Sequence, residues 1–436
     1  MADESEGHHP ERGESFVVLG CVEMAHFASC RRSFADVDGG CDYPRRGERD
    51  LPMLALAAPA FNTASETFVR DHVRHIAPKQ TILLCQDGTD AERLGCPVLS
   101  DLRIRRSRRG KIARVGEWLA THLQNPADSE LSAIDRLRVK AFFRTYQPTA
   151  LLAEFGPIGC LLMGVARELD VPLYVHFHGH DATAMAQDPH HAELYRKLFF
   201  SAAGVIAPSR YLLARLADLG CPLEKLALSP CGVDPSCFVP TNGQSSQVIV
   251  AVGRMVEKKA PHLTIEAFSK VCDQFPDARL EMIGTGPLFG RCKKTIQRLG
   301  LESKVVLHGL RDHDFVAEVM GRSAMFVQHS VVSDDGDAEG MPVSVMEAMA
   351  SALPVVATRH SGIPETVLEN TCGLLVEEHD VDGMAGAIAK LLADPILAAK
   401  LGAAGRGRIL GDFTHQHTGA RLRAILGSSA VVPSAR

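Results

Sequence analysis

Seven residues separate Glu339 from Glu347 in the run Asp337-Ala338-Glu339-Gly340-Met341-Pro342-Val343-Ser344-Val345-Met346-Glu347. Pro342 suits the first turn of a helix, where its missing N–H costs nothing. Glu339 then lies in the loop before that helix and Glu347 about one and a half turns inside it. Carboxylates so placed reach different hydroxyls of one polyhydroxylated ligand. The N–H groups of Gly340, Met341 and Val343 are left for oxyanions or sugar oxygens. Taken alone, Glu347 reads as a residue of an ordinary acidic surface helix.

Cations stand upstream. The apolar run VIVAV leads into Gly253-Arg254-Met255-Val256-Glu257-Lys258-Lys259-Ala260-Pro261, and Pro261 again suits a helix start. Arg254 and Lys259 thus occupy a strand-to-helix loop beside a positive helix terminus, a place that suits a diphosphate. Two solvated surface cations would look the same. Further on, Ile283-Gly284-Thr285-Gly286-Pro287 closes another strand. Its glycines let backbone approach a ligand, or simply form a tight turn. Asp335-Gly336-Asp337 spells a DxD metal motif. A divalent ion would need these acids at a strand end, with donor phosphates completing its shell. They lie instead just ahead of the glutamate pair, beside two cations already suited to a diphosphate, so no metal is expected.

In the first half, Val175-His176-Phe177-His178-Gly179-His180-Asp181 closes a strand. Three alternating histidines beside an aspartate suggest metal ligation, yet no other segment shows spacing that would complete the shell. Glu154 ends a neighbouring strand and is expected to line an acceptor pocket. Thr63-Ala64-Ser65-Glu66 reads as a helix capping box, whose amides around Ser65 could also meet an acceptor. Arg103, Arg105, Arg106, Arg108, Arg109, Lys111 and Arg114 form a basic run. Such a run is either a solvated loop or a patch for an anionic membrane surface.

The elements that must position these residues follow one rhythm. Residues 1–50 are rich in Gly, Glu and Arg, and are expected to form a poorly ordered extension. Short apolar runs then alternate with helix-length amphipathic segments: Met53–Ala58, Thr81–Cys85, Ala150–Glu154, Leu173–Phe177, Val205–Ala207 and Leu226–Ser229 read as strands. A polar, turn-rich stretch near Val239–Gln247 resembles a linker. A second series follows, with strands at Val248–Val252, Leu280–Ile283, Val305–Leu307, Met325–Gln328, Pro354–Ala357 and Leu374–Val376. Continuous apolar strands imply parallel sheets covered on both faces. The expected architecture is α/β: two doubly wound, Rossmann-like parallel-sheet domains facing each other across a cleft, with ligands beyond the carboxyl ends of the strands. The domains are residues 51–240 with 413–436, and residues 241–412.

At 436 residues the chain can bury two cores. A formal net charge of −5 argues against a general nucleic-acid binder. The twelve cysteines are dispersed, without a CxxC pair, and read as reduced core thiols. The acidic start MADESEGHHPERGE is unlike a signal peptide, and no apolar run reaches the roughly 18 residues of a membrane span. A cytoplasmic protein is expected, with peripheral contact at the inner face of the membrane if the basic run is a membrane patch.

From Gly253 to Glu365 the chain resembles the donor domain of the retaining glycosyltransferases of family four, which have the GT-B fold. The resemblance rests on GRMVEKKA, the IGTGP turn, the HG ending of VVLHG, and EGMPVSVMEAMASALPVVATRHSGIPE, in order and at matching spacing. VVSDDGDAEGMP, RHSGIPE and ASETFV are similar to the bacterial exopolysaccharide branch of colanic-acid type. The resemblance implies that Arg254 and Lys259 bind the donor diphosphate, that Glu339 faces the donor sugar, and that Glu347 binds the ribose hydroxyls. It further implies that His178 reaches the donor sugar or the reaction centre, with Asp181 following in HGxD form on the acceptor side. Gly284, Gly286, Gly340, Met341, Pro342 and Val343 would line the donor, and the base would meet backbone near Gly309 and Leu310. Ala260 departs from the family's usual glycine, which is tolerable if its φ stays negative.

The expected activity is metal-independent, retaining transfer of a hexose from a UDP-, GDP- or ADP-sugar to a glycan or lipid-linked glycan, with no cofactor. A nucleotide-sugar epimerase of the same architecture would turn over donor without acceptor. A degenerate nucleotide-sugar-binding protein would bind without turnover, although all four of Arg254, Lys259, Glu339 and Glu347 are present.

Overall fold

The computed structural model describes residues 53–61, 63, 67–102, 131–240 and 247–427. The N-terminal extension, Ser65 with most of its capping box, and the basic run from Arg103 to Arg114 lie outside the described residues.

Seven parallel strands form the first sheet: β1 (Leu54–Ala60), β2 (Thr81–Asp87), β3 (Val98–Leu99), β4 (Ala150–Glu154), β5 (Leu173–His176), β6 (Gly204–Ala207) and β7 (Leu226–Leu228). Their spatial order is β3-β2-β1-β4-β5-β6-β7. The second sheet comprises β8 (Val248–Val252), β9 (Arg279–Ile283), β10 (Val305–Gly309), β11 (Met325–Gln328), β12 (Val355–Thr358) and β13 (Gly373–Val376), in the order β10-β9-β8-β11-β12-β13. Both follow the doubly wound order, in which the chain reverses direction beside the first strand. The strand sequences account for this burial: LALAAPA in β1 and ALLAE in β4 are covered on both faces, as parallel strands under helices must be.

Helices α1 (Thr67–His75), α2 (Ala133–Tyr146), α3 (Gly156–Glu168), α4 (Pro189–Ser201) and α5 (Arg210–Asp218) cover the first sheet. Around the second lie α6 (Pro261–Ser269), α7 (Phe289–Arg298), α8 (His313–Arg322), α9 (Val343–Ala350), α10 (Ile363–Thr366), α11 (Val381–Ala393) and α12 (Pro395–Asp412). Each sheet separates two apolar clusters. Several helix starts are written in side chains, since Ser209 and Asp312 accept N–H groups at the heads of α5 and α8. The last helix, α13 (His415–Gly427), leaves the second sheet and packs on α1, burying Leu422 among Leu54, Leu56 and Val73. Among the strands, the two-residue edge strand β3 has no counterpart in the expected series. Helix α4 begins at the Asp188 cap and Pro189.

Candidate active site

At the carboxyl end of β8 the chain enters the loop of Arg254 and Lys259, and at the end of β9 it enters the Gly284–Gly286 turn. The two loops are laced together: Met255 N–H donates to Thr285 O at 2.9 Å and Leu288 N–H to Met255 O at 2.9 Å. A Cβ on Gly284 would collide with the Gly253 carbonyl, and one on Gly286 with the Met255 carbonyl; both glycines have positive φ. Their missing side chains therefore admit protein backbone, in keeping with the tight-turn alternative. Gly253, Arg254, Met255, Lys259, Ile283 and Gln328 line a hollow at the switch point of this sheet. Ala260 contradicts its expectation. It sits at φ 32°, in the left-handed region, where a Cβ is strained.

Arg254 is exposed and makes no ion pair among the described residues. Lys259 is not free: its Nζ lies 2.8 Å from Glu339 Oε1 and donates to Gln328 Oε1 at 3.3 Å. Although at ion-pair distance from Lys259, Glu339 Oε1 receives no well-directed hydrogen bond. Burial works against ionisation of Glu339, but the charges of Lys259 and Lys258 win and bring its carboxyl down to about 2. Lys258 is itself buried and donates to Asp337 Oδ1 at 2.9 Å. Asp335 accepts from Ser333 Oγ at 2.6 Å and from the Asp337 N–H at 3.1 Å. Both acids of the DxD string are thus engaged within the protein.

Two residues unnoticed in the sequence hold the Glu339 backbone. Its N–H donates to His360 Nε2 at 3.0 Å, and His360 Nδ1 lies 2.6 Å from Glu378 Oε1. Because Nε2 accepts, Nδ1 must carry the proton toward Glu378. The N–H groups of Gly340, Met341 and Val343 have no acceptor among the described residues, at the head of α9. Inside that helix Glu347 is buried, with Oε1 3.1 Å from His313 Nε2; this hydrogen bond raises the His313 pKa. No sequence pattern marked His313. Leu310 is exposed just beyond β10.

The loop carrying Glu339 meets the first domain directly. A side chain on Gly340 would collide with the His178 carbonyl, so only glycine permits this approach. Ala338 N–H donates to Thr183 Oγ1 at 3.2 Å, and His180 Nδ1 lies 3.5 Å from Asp337. Glu365 accepts the Arg210 and Tyr211 N–H groups at 2.9 and 3.1 Å, so a carboxylate of the second domain caps α5 of the first.

Across this cleft, His178 is brought toward Glu339 by chain contact, but two expected acceptor residues are not presented to a ligand. Glu154 is fully buried, its Oε1 2.7 Å from His72 Nδ1 and its Oε2 2.8 Å from His178 Nε2. Asp181, also buried, accepts the N–H groups of Gly156, His178 and Gly179 at 3.0, 2.9 and 3.1 Å and organises the turn. The long-range partners absent from local spacing do exist, since His72 from α1 and Glu154 converge with His176, their ligand atoms within 4.8 Å of one another. Two of the contacts to Glu154, 2.7 Å from His72 and 2.8 Å from His178, are hydrogen-bond distances. Ligands of one tetrahedral zinc ion stand about 3.3 Å apart. The cluster as it stands is hydrogen-bonded.

Two Rossmann-like sheets with a cation- and carboxylate-lined cleft at their switch points define the GT-B class of glycosyltransferase. Residues 66–236 match the family described as Glycosyltransferase Family 4, and residues 238–408 match Glycosyl transferases group 1. WcaL of Escherichia coli K12, named as a colanic acid biosynthesis glycosyltransferase, is 32% identical over 324 residues, covering 72% of this chain and 79% of its own. A GDP-mannose-dependent α-(1-6)-phosphatidylinositol monomannoside mannosyltransferase of Mycolicibacterium smegmatis is 31% identical over 337 residues, covering 72% and 85%. The structure of HepE from Anabaena in complex with UDP superposes with a TM-score of 0.70 at 17% identity, covering 87% of this chain and all of that one. The chain belongs to the family 4 glycosyltransferases. Among the described residues no helix is long and apolar enough to cross a membrane.

Proposed function

We propose that the chain transfers a hexose from a nucleoside-diphosphate sugar, with retention at the anomeric carbon, to a glycan or lipid-linked glycan acceptor in the synthesis of an exopolysaccharide or glycolipid. The observation that carries this reading is a hollow lined by Arg254, unpaired among the described residues, and by Lys259, whose Nζ lies 2.8 Å from Glu339 in the loop that leads to the open N–H groups of α9. Departure of a nucleoside diphosphate puts charge on phosphate oxygen. Arg254, Lys259 and those amides are fixed donors that stabilise it without reorganisation. Glu339 meets the donor sugar, Glu347 beside His313 takes the ribose hydroxyls, and His178 reaches the reaction centre. The sequence offers no convincing nucleophile for the opposite face, so front-face attack with an oxocarbenium-like transition state is favoured. The reaction needs no divalent ion in this reading, since the DxD acids are occupied by Lys258, Ser333 and backbone.

The names of the relatives, which include colanic acid synthesis and a phosphatidylinositol mannoside, support a glycan or lipid-borne acceptor. A cytoplasmic protein touching the inner membrane face through Arg103–Arg114 fits such an acceptor. The test is a thermal-shift screen against UDP-, GDP- and ADP-sugars, where a ligand at about 100 times its Kd adds about 2.7 kcal/mol. It is followed by turnover with the stabilising donor in excess chelator. A flat screen refutes the donor site. Turnover abolished by chelator and restored by magnesium or manganese refutes the metal-free mechanism, and inverted product refutes retention.

A further inference from the structure

Glu154 is 0% exposed at the end of β4, yet it touches three imidazoles. Burial would raise its carboxyl, but the charge of His72, the near approach of His176 and hydrogen bonds from His178 and His72 hold it well below the usual range. An ionised carboxylate only accepts hydrogen bonds. His72 must therefore present Nδ1–H to Oε1 at 2.7 Å, and His178 must present Nε2–H to Oε2 at 2.8 Å. His178 Nδ1 has no partner among the described residues.

The ring is fixed on several sides. Phe68, Phe155 and His176 lie 4.2, 4.8 and 4.2 Å from it, centroid to centroid. Phe155 holds its place at φ 74°, ψ 141°, a conformation that residues with a Cβ rarely adopt. Asp181 fixes the backbone of the same turn through the His178 and Gly179 N–H groups. Strain, tilted ring contacts and main-chain bonds all converge on one imidazole.

We propose that Glu154 is a positioning residue that locks His178 as its Nε2–H tautomer, so that Nδ1 is an acceptor for a hydroxyl of the bound sugar substrate. This rests on the role given to His178 under the proposed function. It extends that role by making the partner a hydrogen-bond donor: a deoxy or O-methyl analogue at that hydroxyl loses the contact.

The test uses the full-length protein labelled with ¹⁵N-histidine, the His178 resonances being identified by their loss in H178A. Wild type is expected to show the Nε2–H tautomer. In E154Q the carboxamide oxygen stays with the His72 donor at the Oε1 position. Its NH₂ then takes the Oε2 position, donates to His178 Nε2 and drives the proton to Nδ1. With the nucleotide sugar that gives the largest thermal shift, E154Q is expected to lose about ten- to a hundredfold in kcat. E154Q/H178A should lose no more than H178A alone. An Nδ1–H tautomer in wild type overturns the proposal, a result that stands even if E154Q fails to fold. It is also overturned by an unchanged tautomer in folded E154Q, by a further multiplicative loss in the double variant, or by one equivalent of zinc in the purified protein. Full turnover by H178A would instead remove His178 from the proposed mechanism and leave the tautomer result intact.

Discussion

Replacing Glu339 by glutamine should flatten the acid side of the stability profile. Lys259 Nζ stands 2.8 Å from the carboxylate, and the Lys258 ammonium adds its charge. Against burial, they bring the Glu339 carboxyl from an ordinary 4.5 to about 2. A folded value below the unfolded one means that the unfolded chain binds the proton first. The stabilisation is complete above pH 4.5 and is lost as pH falls toward 2. Over the whole window this is about 3 kcal/mol, and between pH 6 and 3.5 it is about 1.4 kcal/mol. Urea titrations of wild type and E339Q across that range should therefore converge by about 1.4 kcal/mol as the solution is acidified. Profiles that stay parallel would show that the lysines do not hold this carboxylate ionised. The electrostatic reading of the site would then be wrong.

Arg254→Ala should lower kcat/KM about a hundredfold, close to 3 kcal/mol, and a loss below about threefold would remove Arg254 from the departure of the diphosphate. Ala260→Gly relieves a left-handed alanine and should stabilise by roughly 1 kcal/mol, seen as a rise of about 2–4 °C in the thermal midpoint; an unchanged or lower midpoint refutes the strain. Neutralising four arginines between Arg103 and Arg114 should weaken binding to anionic liposomes by about 1 kcal/mol per charge, and unchanged binding ends the membrane assignment.

Sheet architecture was legible because buried parallel strands must be continuously apolar, and the β-branched run VIVAV fits a buried strand best. The two-residue β3 carries too little pattern to find. The start of α4 was signalled by Asp188 and Pro189, but its histidines hide the periodicity. Arg254 and Lys259 share one loop, and Glu339 and Glu347 share one helix start, so each pair was legible locally; only the family resemblance implied that the two pairs serve one donor. What stayed hidden depends on contact between distant segments. His72 and Glu154 are 82 residues apart, His360 reaches back 21 residues to the Glu339 N–H, and Glu365 caps a helix 155 residues upstream. The glycines left two readings open for a related reason. A missing Cβ says that something comes close, and at Gly284 that something is the Gly253 carbonyl.

Neighbouring lysines on one short turn divide the labour of this site. Lys258 holds Asp337, which also faces His180 and Thr183 of the first domain, while Lys259 holds Glu339. One loop is therefore tied at once to the cleft's far wall and to the cation assigned to the donor. An isolated buried carboxylate would be costly if its only cation turned away. Glu339 does not face that cost, because Lys258 contributes second to holding it ionised. In the proposed reaction Lys259 meets the diphosphate from the place where Glu339 and Gln328 hold it, and Glu339 keeps its charge for the sugar. The close approach of Gly340 to the His178 carbonyl sets the histidine turn of the first domain directly against the loop that carries Glu339.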